Sequence, residues 1–303
     1  MNNIVDIAIM RLVLGGGGLA CLTYIGTYKV LIERDLMKHV DEIYGVSAGS
    51  VVGLGIVLGI LPEELFRLFR ENYPFKKDDL KMTNLISKFG LDTSDGGRRF
   101  IENMLASKGF PKDAKMSDLK SCRIQFKVCV SNLTTYQKEL FTTNDDISVV
   151  DAVIASGTVP ILFTPVRIKN DYYIDGGALW HCFPVELLKE GDLGFCCMSK
   201  PCKEEKMTFW NYISRLMTIF MMYFAFNEIE TRHPQVIYFE DVGIKLVSYE
   251  PFTDAEYENM MRLGRKYGED YFEKQYNGSH HIEESISDGG DTPTPTSNDV
   301  SRK

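Results

Sequence analysis

Residues 5–14 form a mostly apolar run that stops at four consecutive glycines, Gly15 to Gly18. A short apolar run bounded by turn residues predicts a buried strand. The period then changes. Leu22, Ile25, Tyr28, Ile32 and Leu36 fall on one stripe, which predicts a helix over 19–37. A second short strand signal precedes Gly45-Val46-Ser47-Ala48-Gly49, and residues 51–60 are apolar enough for a buried helix. Further helices are expected at 62–69, 80–89, 98–107 (capped by Thr93-Ser94-Asp95) and 148–155, the last ended by Thr158-Val159-Pro160.

Strand patterns recur between them. Ile124, Phe126, Val128 and Val130 share one face of a strand at 123–130, and 137–142 reads as its hairpin neighbour. Residues 166–169 and 172–174 predict a second hairpin about Asn170-Asp171. Beyond them come a buried strand at 193–198, a long helix at 207–231, strands at 236–239 and 244–248, and an amphipathic helix at 254–276. Alternating strands and helices predict an α/β fold, a mostly parallel sheet covered on both faces. No internal repeat interrupts it. From Asn277 the chain turns to Ser, Asp, Gly, Thr and Pro, so 1–276 is expected to be one folded domain and 277–303 a disordered polar tail.

The totals narrow the function. At 44% hydrophobic and 25% charged over 303 residues, the bulk of the chain can bury a large core. A net charge of -8 argues against a nucleic-acid partner, and contact with an anionic membrane would need a local basic or apolar patch. The seven cysteines have no regular spacing, and Cys196-Cys197 sit in an apolar strand. Neither a disulfide framework nor a zinc site fits them, and they read as reduced core residues. With no basic segment leading into an apolar one at the start, and no run long enough to span a bilayer, a cytoplasmic protein is expected.

Two places carry chemistry. A serine on a sharp strand-to-helix turn, as Gly45-x-Ser47-x-Gly49 would be, has its hydroxyl thrust out of the sheet at the positive end of a helix. The bland alternative is a glycine-serine helix cap. The glycine loop admits two functional readings. Gly15, Gly17 and Ala20, with Asp35 further on, satisfy a dinucleotide fingerprint, whereas the same bare amides could hold an oxyanion. Ser47 needs a base. His39 precedes it, His280 and His281 lie in the tail, and neither His181 nor His233 has a catalytic context, although a histidine triad stays open. A carboxylate is the other option. Of the three Asp-Gly-Gly sequences, Asp95 fits a helix cap and Asp288 the tail, while Asp175 follows the apolar strand Tyr172-Tyr173-Ile174 and can be fixed at its end.

Taken in order, Gly16-Gly17-Gly18, Gly45-x-Ser47-x-Gly49 and Asp175-Gly176-Gly177 resemble the patatin-like phospholipase family, over about residues 8–190. Gly26, the run Ala155-Ser156-Gly157-Thr158-Val159-Pro160 and Phe183-Pro184-Val185 support the resemblance. It implies a patatin-like three-layer α/β sandwich and a Ser-Asp dyad that cleaves fatty acyl esters of lipids without a metal or cofactor. Ser47 would attack and Asp175 would serve as base, with the amides of Gly16, Gly17, Gly18 and Ala48 as oxyanion hole. Gly45, Gly49, Gly176 and Gly177 would support the motifs. One departure stands out: where the family carries Arg or Lys followed by Gly after the loop, this chain has Ala20 and Cys21. An impaired relative that binds lipid or a protein partner is therefore the alternative. Access to a lipid aggregate requires apolar surface. The 207–231 helix is the candidate, with Trp210, Ile213, Leu216, Met217, Phe220 and Phe224 on one stripe and Ile219, Met222, Tyr223 and Phe226 on other faces. A helix apolar on most sides is either deeply buried, the preferred reading, or lines an acyl channel or meets a membrane.

Overall fold

The computed structural model describes residues 8–198, 212–213, 215–217, 219–220, 232–240, 242 and 248–287, with side chains as far as Gln275. In chain order its strands are β1 (Arg11–Leu14), β2 (Glu42–Val46), β3 (Gly90–Asp92), β4 (Gln125–Asn132), β5 (Gln137–Thr142), β6 (Ile161–Phe163), β7 (Val166–Ile168), β8 (Asp171–Ile174), β9 (Asp192–Met198) and β10 (Val236–Glu240). The helices are α1 (Tyr24–Glu33), α2 (Ala48–Val57), α3 (Pro62–Glu71), α4 (Met82–Lys88), α5 (Asp95–Ser107), α6 (Val149–Ser156), α7 (Gly177–Trp180) and α8 (Asp254–Ser287).

One sheet runs β10-β9-β1-β2-β4-β8-β7, with β5 also paired to β4. The five strands from β10 to β4 are parallel, and the β4–β5, β4–β8 and β7–β8 pairs are antiparallel. This is the α/β architecture with a mostly parallel sheet that the alternating pattern predicts. Strand β1 lies between β2 and β9 with Leu12, Val13 and Leu14 fully buried, as a strand covered on both faces must be. Arg11 pairs in register with both Glu42 and Asp192. Its guanidinium donates to the Asp192 carboxylate, and Lys127 donates to Glu42 and to the Tyr44 hydroxyl, each at 2.9 Å. These charges pair with one another at the amino ends of the strands. The carboxyl ends, where ligands bind in such sheets, are left to the loops.

The helix expected over 19–37 is broken. It opens as a tight 3-10 turn, Gly18–Thr23, continues as α1, and stops at Asp35, whose φ of 56° is left-handed. Strands β3 and β6 form a separate parallel pair that the hydrophobic pattern does not announce, since three residues are too few to show a period. Helix α8 crosses α1 at close range. A Cβ on Gly264 would lie 1.7 Å from the Thr23 carbonyl oxygen, and the Thr27 hydroxyl donates to the Gly264 carbonyl at 2.7 Å. Helix α8 extends to Ser287, so the segment read from composition as a disordered tail begins as helix; 288–303 lies outside the described residues. The expected strand at 244–248 also falls outside them except for Ser248, as do Trp210, Met222, Tyr223, Phe224 and Phe226 of the 207–231 helix. Among the described residues no helix is long and apolar enough to cross a membrane.

Candidate active site

Ser47 stands between β2 and α2 with φ 52° and ψ -130°, a conformation that costs a non-glycine residue of order 1–3 kcal/mol. Its surroundings hold it there. A Cβ on Gly49 would sit 2.4 Å from the carbonyl oxygens of both Leu14 and Gly15, so only glycine lets α2 start against the end of β1. The Ser50 hydroxyl donates to the Ser47 carbonyl at 2.6 Å. The Ser47 N–H donates to the Ser156 hydroxyl at 2.8 Å, and that hydroxyl donates in turn to the Cys129 carbonyl at 2.7 Å.

The Ser47 hydroxyl donates to Asp175 Oδ2 at 2.7 Å. Asp175 is fully buried, and its Oδ1 accepts the Gly177 N–H at 2.7 Å. Its backbone is fixed by the same segment that braces the serine: Asp175 N–H donates to the Thr158 carbonyl and Gly176 N–H to the Ser156 carbonyl. Residues 156–158 therefore couple the two side chains. The sequence marks this run as a helix end and as a family likeness. It does not reveal that the Ser156 hydroxyl bridges β4 and the turn at Ser47. Burial pushes the Asp175 carboxyl up to about 7, against the opposing pull of its hydrogen bonds from Ser47 and Gly177. A carboxyl that titrates near neutrality can exchange a proton with a hydroxyl it touches.

The glycine loop differs from expectation at its start. The Gly16 N–H donates to the Cys182 carbonyl at 2.6 Å, and the Gly15 N–H to the Phe195 carbonyl at 2.8 Å. The Gly15 amide continues the pairing of β1 with β9, whereas the Gly16 amide is engaged by a carbonyl of the loop after α7 and is not turned free toward Ser47. The amides of Gly17, Gly18 and Ala48 have no such acceptor among the described residues, apart from any bond within their own helices. The last two open a 3-10 turn and a helix, positions whose N–H groups lack a partner within the helix. Ala20 and Cys21 are buried beneath the loop. The Gly15 carbonyl there accepts from the Tyr24 hydroxyl at 3.2 Å and the Cys21 thiol at 3.5 Å, and Tyr24 itself accepts the Cys197 N–H at 3.0 Å. A hydrogen-bonded tyrosine thus braces the loop, whose position 20 carries no charge.

Other candidates lie elsewhere. Asp35 is exposed and ion-paired with Lys38 at 3.1 Å. Asp95 is in the first turn of α5, accepting from Thr93, and Asp288 is outside the described residues. His233 Nδ1 accepts the Gln235 N–H. The six described cysteines are unpaired in disulfides.

Ser47, Asp175 and the loop glycines line one cavity of about 140 Å³, whose walls are otherwise largely apolar, with Val51, Phe69, Phe75, Phe100, Ile101 and Phe163 among them. The family model for patatin-like phospholipases matches residues 12–189, which holds every one of these elements from β1 to the turn after Asp175. The chain belongs to the patatin-like phospholipases. A curated relative of this patatin-like chain, described as a probable lipid hydrolase of Invertebrate iridescent virus 6, is 27% identical over 190 residues. That match takes in 58% of this chain and 62% of the relative, so the chain spans less than two thirds of the relative's length. Among solved structures, VipD from Legionella pneumophila superposes with a TM-score of 0.55 at 15% identity, covering 88% of this chain and 67% of that one. At that identity the likeness shows a shared patatin-like fold.

Proposed function

We propose that this protein is a lipid acyl hydrolase in which Ser47 is the nucleophile and Asp175 the base. The observation that carries the reading is the 2.7 Å hydrogen bond from a hydroxyl on a strained turn to a buried carboxylate, at the wall of an apolar cavity. Ser47 Oγ would attack the ester carbonyl as its proton passes to Asp175. The oxyanion would be held by the amides of Gly17, Gly18 and Ala48. Asp175 then returns the proton to the departing alcohol, later takes one from the water that attacks the acyl-serine ester, and gives it to Ser47 Oγ as the fatty acid leaves. These steps use protein groups and water alone. Whether the leaving group makes the enzyme a phospholipase A or a lysophospholipase depends on the shape of the cavity, which the motifs do not determine.

The domain that does this would extend past the family match to 276; supporting an extent beyond 189, β9 and β10 continue the same sheet and α8 packs on α1. Cysteines that form no disulfide among the described residues support a reducing, cytoplasmic setting. Transient membrane contact is supported by an exposed apolar face. Met82, Ile86 and Phe89 of α4 and its end are all more than half exposed, as are Ile219 and Phe220. Both segments join one cluster: Leu85 packs against a group that holds Ile213 and Met217 together with Val159 and Phe163 of the cavity wall.

The impaired-relative reading draws on Ala20 and the engaged Gly16 amide, and one experiment separates the two. A fluorophosphonate lipid analogue should label wild-type protein on Ser47 and leave Ser47→Ala unlabelled. A folded wild type that stays unlabelled would overturn the hydrolase reading.

A further inference from the structure

The cavity that reaches Ser47 contains a second buried acid. Asp92 ends β3, is 2% exposed and lines the same space. It is rigidly placed, since Asp92 pairs in register with Phe163 of β6 and its carbonyl accepts the Thr164 N–H at 2.9 Å. One carboxylate oxygen accepts the Ser94 N–H at 2.7 Å, and no described protein group donates to the other. Three neighbouring buried polar atoms also lack a partner: Asp79 Oδ2, Thr164 Oγ1 and Tyr249 Oη. Their proximity shows in their electrostatics. Burial first, and then the charge of Asp79, pushes Asp92 up to about 6, while the charges of Asp92 and Asp79 act together on the Tyr249 phenol.

Buried polar atoms are almost always paired. Of these four residues Asp92 alone lines the cavity, so its carboxylate oxygen without a described protein donor is the one a bound molecule could meet. Ser47 and Asp175 are accounted for by the chemistry; this group is not. We propose that Asp92 is a recognition residue for an alcohol group of the bound lipid, taking its hydrogen bond on the carboxylate oxygen that no protein donor reaches. The proposal rests on the cavity being a lipid site, and extends that reading to a substrate class: acyl lipids that carry a free hydroxyl. A metal ion does not fit, for among the described residues no three His, Cys, Asp or Glu side chains come together to hold one. An ammonium head group fits poorly as well. Burying a full cation costs several kcal/mol unless it is thoroughly paired, and Arg99 already acts on Asp92 with its charge. A neutral donor satisfies the oxygen without that cost.

The hydroxyl could belong to a glycerol head group or to a hydroxylated acyl chain. Three uncleavable ethers distinguish the sources: a monoalkyl glycerol with both head-group hydroxyls free, its dimethylated form, and a dimethylated form with a hydroxyl on the alkyl chain. Binding to the full-length wild-type protein is read by displacement of a fluorescent fatty acid from detergent-dispersed ether. One hydroxylated ether should bind about tenfold or more tightly than the fully methylated one, the range for a hydrogen bond to a charged group. Which of the two binds names the source. Asp92→Asn keeps an acceptor for the Ser94 N–H and should reduce that preference at least threefold; Asp92→Ala, if it folds, should abolish it. Equal binding of all three ethers by wild type would overturn the proposal and leave Asp92 paired with solvent only. So would a preference unchanged in Asp92→Asn. Because the ethers are not cleaved, failure here is independent of fluorophosphonate labelling, which alone decides whether Ser47 is a nucleophile.

Discussion

Asp175 has no solvent exposure, and its acidity follows from that position. The base form is the deprotonated one, so kcat/KM should climb about tenfold per pH unit below about 7 and level off above it. Asp175→Asn should lower kcat by about a hundredfold to ten-thousandfold and remove that limb, as a pH–rate profile on a soluble ester would record. The same group destabilises the fold at neutral pH. Its folded pKa lies above the unfolded value of 3.8, so the folded chain holds a proton the unfolded chain has released, and stability falls as pH rises from about 4 to about 7. Asp175→Asn should therefore melt higher than wild type at pH 8, with the gap closing at pH 3.5; a gap independent of pH would refute this account. Ser47 and Asp175 can be found in the sequence because each sits in a short motif beside a strand. Tyr24 and Asp92 cannot, and Ser156 shows there only as part of a marked run, without its role. Each matters through a partner far away in the chain, and a lone serine, tyrosine or aspartate carries no local mark of that.

Among the elements, those marked by alternation or by turn chemistry are legible and those set by tertiary pairing are not. Strands β4, β5, β7 and β8 fall where alternation and the Asn170-Asp171 turn put them, because side-chain period and turn chemistry are local properties. Strands β3 and β6, which carry Asp92 and part of the cavity wall, are set by tertiary pairing. The crossing of α1 and α8 is likewise invisible in either helix alone, and it makes a sharp prediction. Alanine in place of glycine within a helix gains about 1 kcal/mol. At Gly264 the new methyl would meet the Thr23 backbone at 1.7 Å, and overpacking of that kind costs about 1–3 kcal/mol or more. At Gly268 it would meet side chains rather than backbone, the Thr27 methyl at 3.1 Å and Val30 at 3.4 Å. Urea unfolding should show Gly264→Ala destabilised by about 1–2 kcal/mol and Gly268→Ala neutral or stabilised.

For the whole molecule, the net charge of -8 leaves general attraction to an anionic bilayer out of reach, so a local patch must supply it. The apolar face of α4 is flanked by exposed Lys81 and Lys88. Ile86, 86% exposed, is its most prominent residue. Burying one such side chain contributes about 1.5–3 kcal/mol, so Ile86→Asp should weaken binding to anionic vesicles at least tenfold in a sedimentation assay while turnover of a dispersed short-chain ester is retained. Unchanged vesicle binding would place the contact elsewhere. The family likeness ends at residue 189, yet the sheet continues to β9, which closes over the inner flank of β1 and accepts the Gly15 amide. The architecture thus draws its two halves from opposite ends of the chain.

That arrangement has a consequence for biosynthesis. A ribosome has made the serine, the aspartate and the glycine turn well before it reaches Gly264, whose helix seats against the one that follows that turn. A nascent chain stalled after Asp175 would hold each reacting group and still lack the framework that keeps them in place. Under the proposed hydrolase reading, competence should accordingly arrive late and all at once.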